Sequence, residues 1–394
     1  MSFDIALSGI NAVNSQLDTI SNNIANSGTY GYKASRVNFS SMYAGSQATG
    51  AEVGSMTQSI DVGGSVLTTG RSLDASIQGR GFFVSRDTTG ATSYSRVGIF
   101  SVDKDGYLSD ATGGRVQGFA AVPGSTALGA MGDLQVPTGQ IPAAASDTMK
   151  YVGNLSADWT VPTAAFDPAD PQTFNGSMVT VAYDSLGVQH SVTQYFVKTA
   201  SNQVTAHYAM DGAPIAATTV LDFGTNGQLT APTAAVSLAL GTPAGAAALT
   251  VSLDYTGTTQ FAGEATTSAN SANGYASGTL IGTQIDDSGA VMANYSNGQK
   301  QRVGTVALAT FPDEGALVSV SGTRWTTSNA SGTPLYFAPG SGMAGTLTSG
   351  AVEQSNVDIT AELVSLMSAQ RNYQANAKVI STESQMVQAL MQAV

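Results

Sequence analysis

Three short stretches hold residue types that could carry chemistry. Asp184-Ser185 followed by His190 supplies the acid, hydroxyl and imidazole of a hydrolase triad, where the imidazole accepts the proton of an attacking hydroxyl. All three lie on one expected turn and strand, and no glycines flank Ser185 to form the sharp elbow that exposes a nucleophile. Hydrolysis is not expected from them. Asp103-Lys104-Asp105-Gly106 has the start of a calcium loop, but the twelfth position, where a bidentate Glu closes the coordination shell, is Gly114. Asp-Gly is also common hairpin chemistry, so turns are expected here and at Asp286-Asp287-Ser288-Gly289. Gly79-Arg80-Gly81 is a fragment of a phosphate-binding loop. Phe82-Phe83-Val84 after it reads as a strand rather than the required helix, so the glycines are expected in a tight turn or bulge.

The chain has 2 His and no Cys, which leaves no imidazole cluster, thiolate ligand or thiol nucleophile. No catalytic, cofactor-binding or metal-ligating residue is therefore assigned. Trp159, Trp325 and the 14 tyrosines fit core, interface or sugar-stacking roles equally well by type.

Composition narrows the class further. The 394 residues suffice for two or three domains, and only 11% are charged, against roughly a quarter in an average soluble protein. Gly, Ala, Ser and Thr fill the difference, giving a neutral, hydroxyl-rich surface suited to broad contact with further copies of the chain. A net charge of −12 without any basic cluster argues against nucleic acid, whose counterions only gathered Lys and Arg displace. No run of 18 apolar residues is present, so no membrane insertion is expected, and the N-terminus lacks the pattern of a cleaved signal peptide.

The elements that would position functional groups are clearest at the two ends. Residues 1–26 read as one amphipathic helix: Phe3, Ala6, Ile10, Val13, Leu17, Ile20 and Ile24 alternate steps of three and four, the narrow seam of a coiled coil. Ser2 is expected to cap it, and Gly28 in the left-handed conformation to end it. Over the last 40 residues Ile359, Leu366, Tyr373, Ile380, Val387 and Val394 recur every seven, with Leu363, Ala377 and Leu390 one turn away. Ser355-Asn356-Val357-Asp358 reads as a capping box that sets the start of this helix. The seams either pair inside one monomer as a stalk or order only when neighbouring subunits supply partners. Both accounts bring the chain ends side by side.

Between the helices the period changes to two. Leu73–Val84 and Tyr94–Phe119 alternate apolar and polar residues around hairpin signals at Asp105-Gly106 and Gly113-Gly114. Residues 122–150, rich in Pro, Ala and Gly, read as a linker. Strands are expected again at Met178–Tyr183, Gln189–Lys198 and Ala248–Tyr255, and from Ile281 to Trp325. The predicted fold class is mainly β with α-helical termini: a β-rich middle plus a coiled-coil-like terminal helix pair.

The ends also carry longer motifs. Ser21-Asn22-Asn23-Ile24-Ala25-Asn26 followed by Gly31-Tyr32-Lys33 resembles the N-terminal signature of the flagellar rod and hook family. Asn356, Asp358 and Gln370-Arg371-Asn372-Tyr373-Gln374-Ala375-Asn376 resemble its C-terminal signature. Ile77–Val84 and Tyr94–Phe100 fit the same family, and Tyr183–Gly187, His190, Val192–Lys198, Asn273–Gly278 and Tyr295–Gln299 resemble the outer domain of its hook branch. One departure is Tyr336-Phe337, where the family pattern is small and glycine-rich.

The resemblance implies a nested organisation: 1–30 with 355–394 as a helical inner tube, 31–70 with 351–354 as a connecting segment, 71–145 with 279–350 as a middle β domain, and 146–278 as an outer β domain. It implies a structural, non-enzymatic subunit of a curved tubular joint that passes motor torque to the filament and encloses the export channel. Implied partners are further copies in a helical polymer, the rod, the hook cap, the hook–filament junction and hook-length-control proteins, and the type III export apparatus. That apparatus would deliver the chain outside the cell. A distal rod protein of the same family and, more remotely, an extracellular adhesin are the alternative readings.

Overall fold

The computed structural model describes residues 2–44, 47–122 and 124–393, with the side chains of Ser2, Ala44 and Ala393 left out. The expected Ser2 cap and the last seam residue, Val394, therefore lie outside what is described. The chain divides into two compact units. The first takes in the chain up to Thr138, Gly282–Asn294 and the chain from Lys300 onward; the second takes in Gly139–Ile281 and Tyr295–Gln299.

In the first unit, helix α1 (Ser2–Ala25) leads into a long antiparallel ribbon of β1 (Ser35–Ala44) and β2 (Gln47–Gln58), paired from Ser35↔Gln58 to Tyr43↔Ala48 with register shifts after Asn38 and Met42. No strand was expected in this stretch, because small residues blur its alternation. A larger sheet follows, whose centre joins strands Arg115–Ala121, Phe82–Arg86 and Thr92–Ser95. Phe82, Tyr94, Phe311 and Trp325 fill its core edge to face, with Phe82 and Phe311 centroids 6.0 Å apart and Tyr94 and Phe311 4.8 Å apart. Trp325 is thus a core residue, and its Nε1 donates to Gln58 Oε1 at 2.8 Å. Tyr336 turns its hydroxyl to that of Tyr94 at 3.3 Å. The first unit ends in helix α2 (Ile359–Ala393).

The stretch read as a linker is only partly one. Leu128–Asp133 is a strand paired with Arg115–Ala121, and Thr148–Asn154 is another in the second unit. Leu134 and Val136 are buried and hydrogen-bonded to Val116 and Gly106. Two spaced apolar residues sufficed to anchor a segment whose Pro and Gly content suggested solvent.

The second unit packs a four-stranded sheet (order 236–241, 249–254, 148–154, 266–272) with a five-stranded meander running from Gly176–Tyr183 to Leu229–Ala231. Their inner faces share one core, including Met149, Tyr151, Phe196, Leu221, Leu238 and Leu253. A buried polar chain crosses that core: Tyr208 Oη bonds Thr219 at 2.7 Å and Tyr255 Oη at 2.9 Å, and Tyr255 Oη donates to Gln194 at 2.8 Å. Each hydroxyl is satisfied, as a buried polar group must be. Asn270 Nδ2 donates to Val179 O at 2.8 Å and so ties strand Thr266–Ala272 to the edge strand of the meander.

Five hairpins in the two units close with one local device. Asp87, Asp103, Asp110, Asp184 and Asp286 each accept the N–H groups of the residues two and four ahead. The glycine three ahead of each adopts φ between 77° and 91°. These are three-residue loops with a left-handed glycine, not the two-residue Asp-Gly turns expected at Asp105-Gly106. The carboxylate takes up N–H groups that the tight loop would otherwise leave to water.

Candidate assembly interface

α1 and α2 pack antiparallel. Asn23 Nδ2 donates to Glu362 Oε1 at 2.8 Å near one end of the contact, and at the other a Cβ on Gly9 would fall 2.9 Å from Asn376 Nδ2. Between these points Val13, Ile20 and Ala369 are buried, with Leu17, Ile24 and Leu366 packed against them. Ile10 and Ile380 are half-buried, and Phe3, Ile359, Leu363, Tyr373, Val387 and Leu390 are exposed. The structure therefore gathers four α1 seam residues but only Leu366 of the seven-residue row on α2. The reason is geometric. α2 has 35 residues against 24 in α1, so the last turns of the row, with Val387, run past the end of the partner helix. Ala369, outside that row, became the buried contact because its small side chain lets the helices approach.

At about 1.5 Å per residue, the 24 residues of α1 span ~36 Å and the 35 of α2 ~52 Å. The overhang carries exposed Met386, Val387, Leu390 and Met391. Beside the pair, Ala51 N donates to Ser8 Oγ at 3.2 Å, seating β2 on α1. A groove of about 570 Å³ lies there, lined by Ile5, Ala12, Phe39, Ala51 and Ala375 among others.

The motif residues hold the roots of the helices. Asn23 is buried and fully bonded: besides Glu362, its Nδ2 donates to Ser35 O at 2.8 Å and its Oδ1 accepts Ser35 N at 2.9 Å and Tyr32 Oη at 3.2 Å. Asn26 Nδ2 donates to Asn22 O at 2.9 Å, so a side chain rather than glycine terminates α1. The left-handed residue is Gly31 (φ 68°), not Gly28, and its Cα lies so close to Val97 that a Cβ would come within 2.9 Å of Val97 Cγ2. Asn356 accepts Ala34 N at 2.8 Å and donates to Ser59 O and Val62 O at 2.9 and 3.0 Å. With Asn356 so occupied, the cap of α2 shifts to Asp358, which accepts Thr360 N at 2.9 Å and Ala361 N at 3.2 Å; Ser355, expected as the cap, stays in the extended segment. Gln370 and Arg371 are exposed.

Lys33 leads to a feature that pattern reading missed. Its Nζ lies 2.7 Å from Glu353 Oε1, with side chains 0% and 1% exposed, and also donates to Val62 O at 2.6 Å. Arg96 Nε faces the other carboxylate oxygen at 3.0 Å, an ion pair off the line of a straight hydrogen bond, while Arg96 Nη1 donates to Gly79 O and Gly81 O at 2.9 and 2.7 Å. Gly64 N donates to Glu353 Oε1 at 2.9 Å. Burial pushes the Lys33 amine below its ordinary range, with Glu353 opposing it, and burial acts the same way on Arg96. One carboxylate thus joins the segment after α1, the segment before α2 and, through Arg96, the larger sheet of the first unit. The Gly79–Gly81 turn presents carbonyls to a cation, the opposite polarity to a phosphate cradle.

The other constellation resolves just as plainly. His190 Nδ1 lies 2.6 Å from Asp211 Oδ2 and Nε2 3.4 Å from Asp184 Oδ2, while Ser185 Oγ accepts Ala247 N at 2.9 Å. Both imidazole nitrogens face carboxylates and neither faces a serine, so this arrangement cannot activate a nucleophile.

Known proteins match along the chain. Residues 3–33 match the description "Flagella basal body rod protein", 76–157 "Flagellar hook protein FlgE/F/G D1 domain", 154–275 "Flagellar basal body protein FlaE D2 domain" and 348–393 "Flagellar basal body rod FlgEFG protein C-terminal". The flagellar hook protein FlgE of Salmonella typhimurium is 38% identical over 402 residues, covering 99% of each chain, and that of Escherichia coli K12 is 38% identical over 400. The FlgE of Brucella suis is 33% identical over 395 residues, covering 98% of this chain and 96% of its own. The crystal structure of Helicobacter pylori flagellar hook protein FlgE2 shares the fold, with TM-score 0.54 at 13% identity over 73% of this chain and 99% of that one. With that identity running through nearly the whole of both chains, the chain belongs to the flagellar hook protein family.

Proposed function

We propose that this hook subunit works mechanically rather than catalytically, assembling with further copies into a curved tube that passes motor torque to the filament and encloses the export channel. The observation that carries this reading is the apolar surface left over once α1 and α2 have paired. Phe3, Ile359, Leu363, Tyr373, Val387 and Leu390 are exposed in the single chain, and burying such a side chain against a neighbour gains about 1.5–3 kcal/mol. The intramolecular seam sets the helix pair, and the exposed rows beside it make contacts between subunits. The weakly charged, hydroxyl-rich β surface supplies looser contacts that can slide and be bridged by water. Family likeness supports the rod, the hook cap, the hook–filament junction and length-control proteins as neighbours, and type III export as the route.

The test is truncation. A chain lacking residues 1–26, or one lacking 355–394, should stay soluble, keep its β circular dichroism and fail to polymerise, while the full chain forms tubes visible by electron microscopy. Tubes formed by either truncated chain would refute the reading.

A further inference from the structure

His190 sits at one rim of the second unit, between two turns of the same meander. The turn 184–188 joins strands Gly176–Tyr183 and Gln189–Ala200; the turn 211–212 joins Gln203–Met210 and Ala213–Phe223. Asp184 faces the ring from the first turn and Asp211 from the second. Ser191, next to His190 on its own strand, donates through N and Oγ to Asp211 Oδ1 at 2.8 and 3.2 Å. Ala247, on the segment packed against Ser185, brings only a backbone N–H. Among the described residues no other charged side chain pairs with either carboxylate.

The chemistry follows from counting protons. An imidazolium carries N–H on both nitrogens and can donate to both carboxylates; a neutral imidazole carries one, so its remaining lone pair would confront carboxylate lone pairs. We propose that His190 is a proton-dependent clasp that ties these two turns together while charged and lets the rim loosen when it becomes neutral. Asp211 is where the loosening would be felt. It holds φ 49°, the left-handed region, and among the described residues its side chain bonds His190 and Ser191 alone. The Asp211 hydrogen bond raises the His190 titration above its ordinary 6.5, and the imidazole in turn helps hold both carboxylates below theirs. A raised imidazole contributes stability in full below 6.5 and loses it as pH rises through the folded value. The lowered carboxylates contribute above 3.8 and lose it as pH falls, so the clasp is tightest in mildly acidic solution.

The chain's second histidine is a control in the same molecule. His207 stacks on Phe166, with centroids 4.1 Å apart, and burial lowers its titration. NMR of the full chain labelled at histidine Cε1 should therefore show one resonance titrating above 6.5 and one below. Hydrogen exchange of segments 184–191 and 209–213, corrected for intrinsic rates, should rise in step with neutral His190, while the core strand 148–154 stays flat. In His190→Gln the rim should exchange fast at every pH with no step. Should that variant unfold the unit, Asp211→Asn keeps the imidazole and should move its titration down. A His190 titration at or below the ordinary value, or rim exchange indifferent to it, overturns the proposal.

Discussion

Glu353→Gln tests whether the buried ion cluster holds the first unit together. The substitution keeps the shape of the side chain and removes its charge. Two cations then remain in the interior, since the Lys33 side chain is 0% and the Arg96 side chain 5% exposed. Removing one member of a buried ion pair costs about 3–5 kcal/mol. Each cation keeps carbonyl partners, Val62 for Lys33 and Gly79 with Gly81 for Arg96, which places the expected loss at the lower end, about 3 kcal/mol. Urea unfolding followed by Trp325 fluorescence in a Trp159→Phe background reads the first unit alone, because Trp325 lies in its core and Trp159 packs in the second unit. The pH dependence adds a sharper condition. Lys33 already titrates below 10.5, and without Glu353 its value must fall further. The folded state then sheds the Lys33 proton before the unfolded state does, so stability rises with pH and the deficit should shrink from neutral pH to about pH 10. A deficit below about 1 kcal/mol, or one that does not change with pH, would refute the argument.

Ile20→Asp places a charge in the seam beside Ala369 and should separate α1 from α2. Circular dichroism should show lost helix while the unfolding of the second unit is unchanged; retained helix would contradict the seam. Gly31→Ala forces a left-handed alanine against Val97 and should cost about 2 kcal/mol or more in the same urea experiment, whereas Gly28→Ala should be nearly neutral.

Periodic features were legible in the sequence. Both helices, the strands Gly176–Tyr183 and Gln189–Ala200, and the turns at Asp105-Gly106 and Asp286–Gly289 follow from spacing and turn chemistry that act over a few residues. Long-range features were not. Nothing local marks Glu353 as the partner of Lys33, because 320 residues separate them and the pairing depends on the tertiary fold. The exposure of Tyr373 and Val387 was hidden for a related reason: a heptad row shows that a helix has an apolar stripe, but not which neighbour covers it. The ribbon Ser35–Gln58 escaped because, lying largely exposed on both faces, it never had to alternate.

The contact between Asn23 and Glu362 spans 339 positions of chain, and it has a kinetic consequence. Contacts of such high contact order form late, because closing so long a loop is entropically costly until something shortens it. Here the β units are that something: once folded, they bring Lys33 and Glu353 together and leave only short tethers to the helices. The pairing of α1 with α2 is therefore expected to follow the folding of the β strands between them. Until then the stripe of Val13, Leu17 and Ile20 lacks the cover that α2 gives it, and only the ribbon of β1 and β2 rests against the helix.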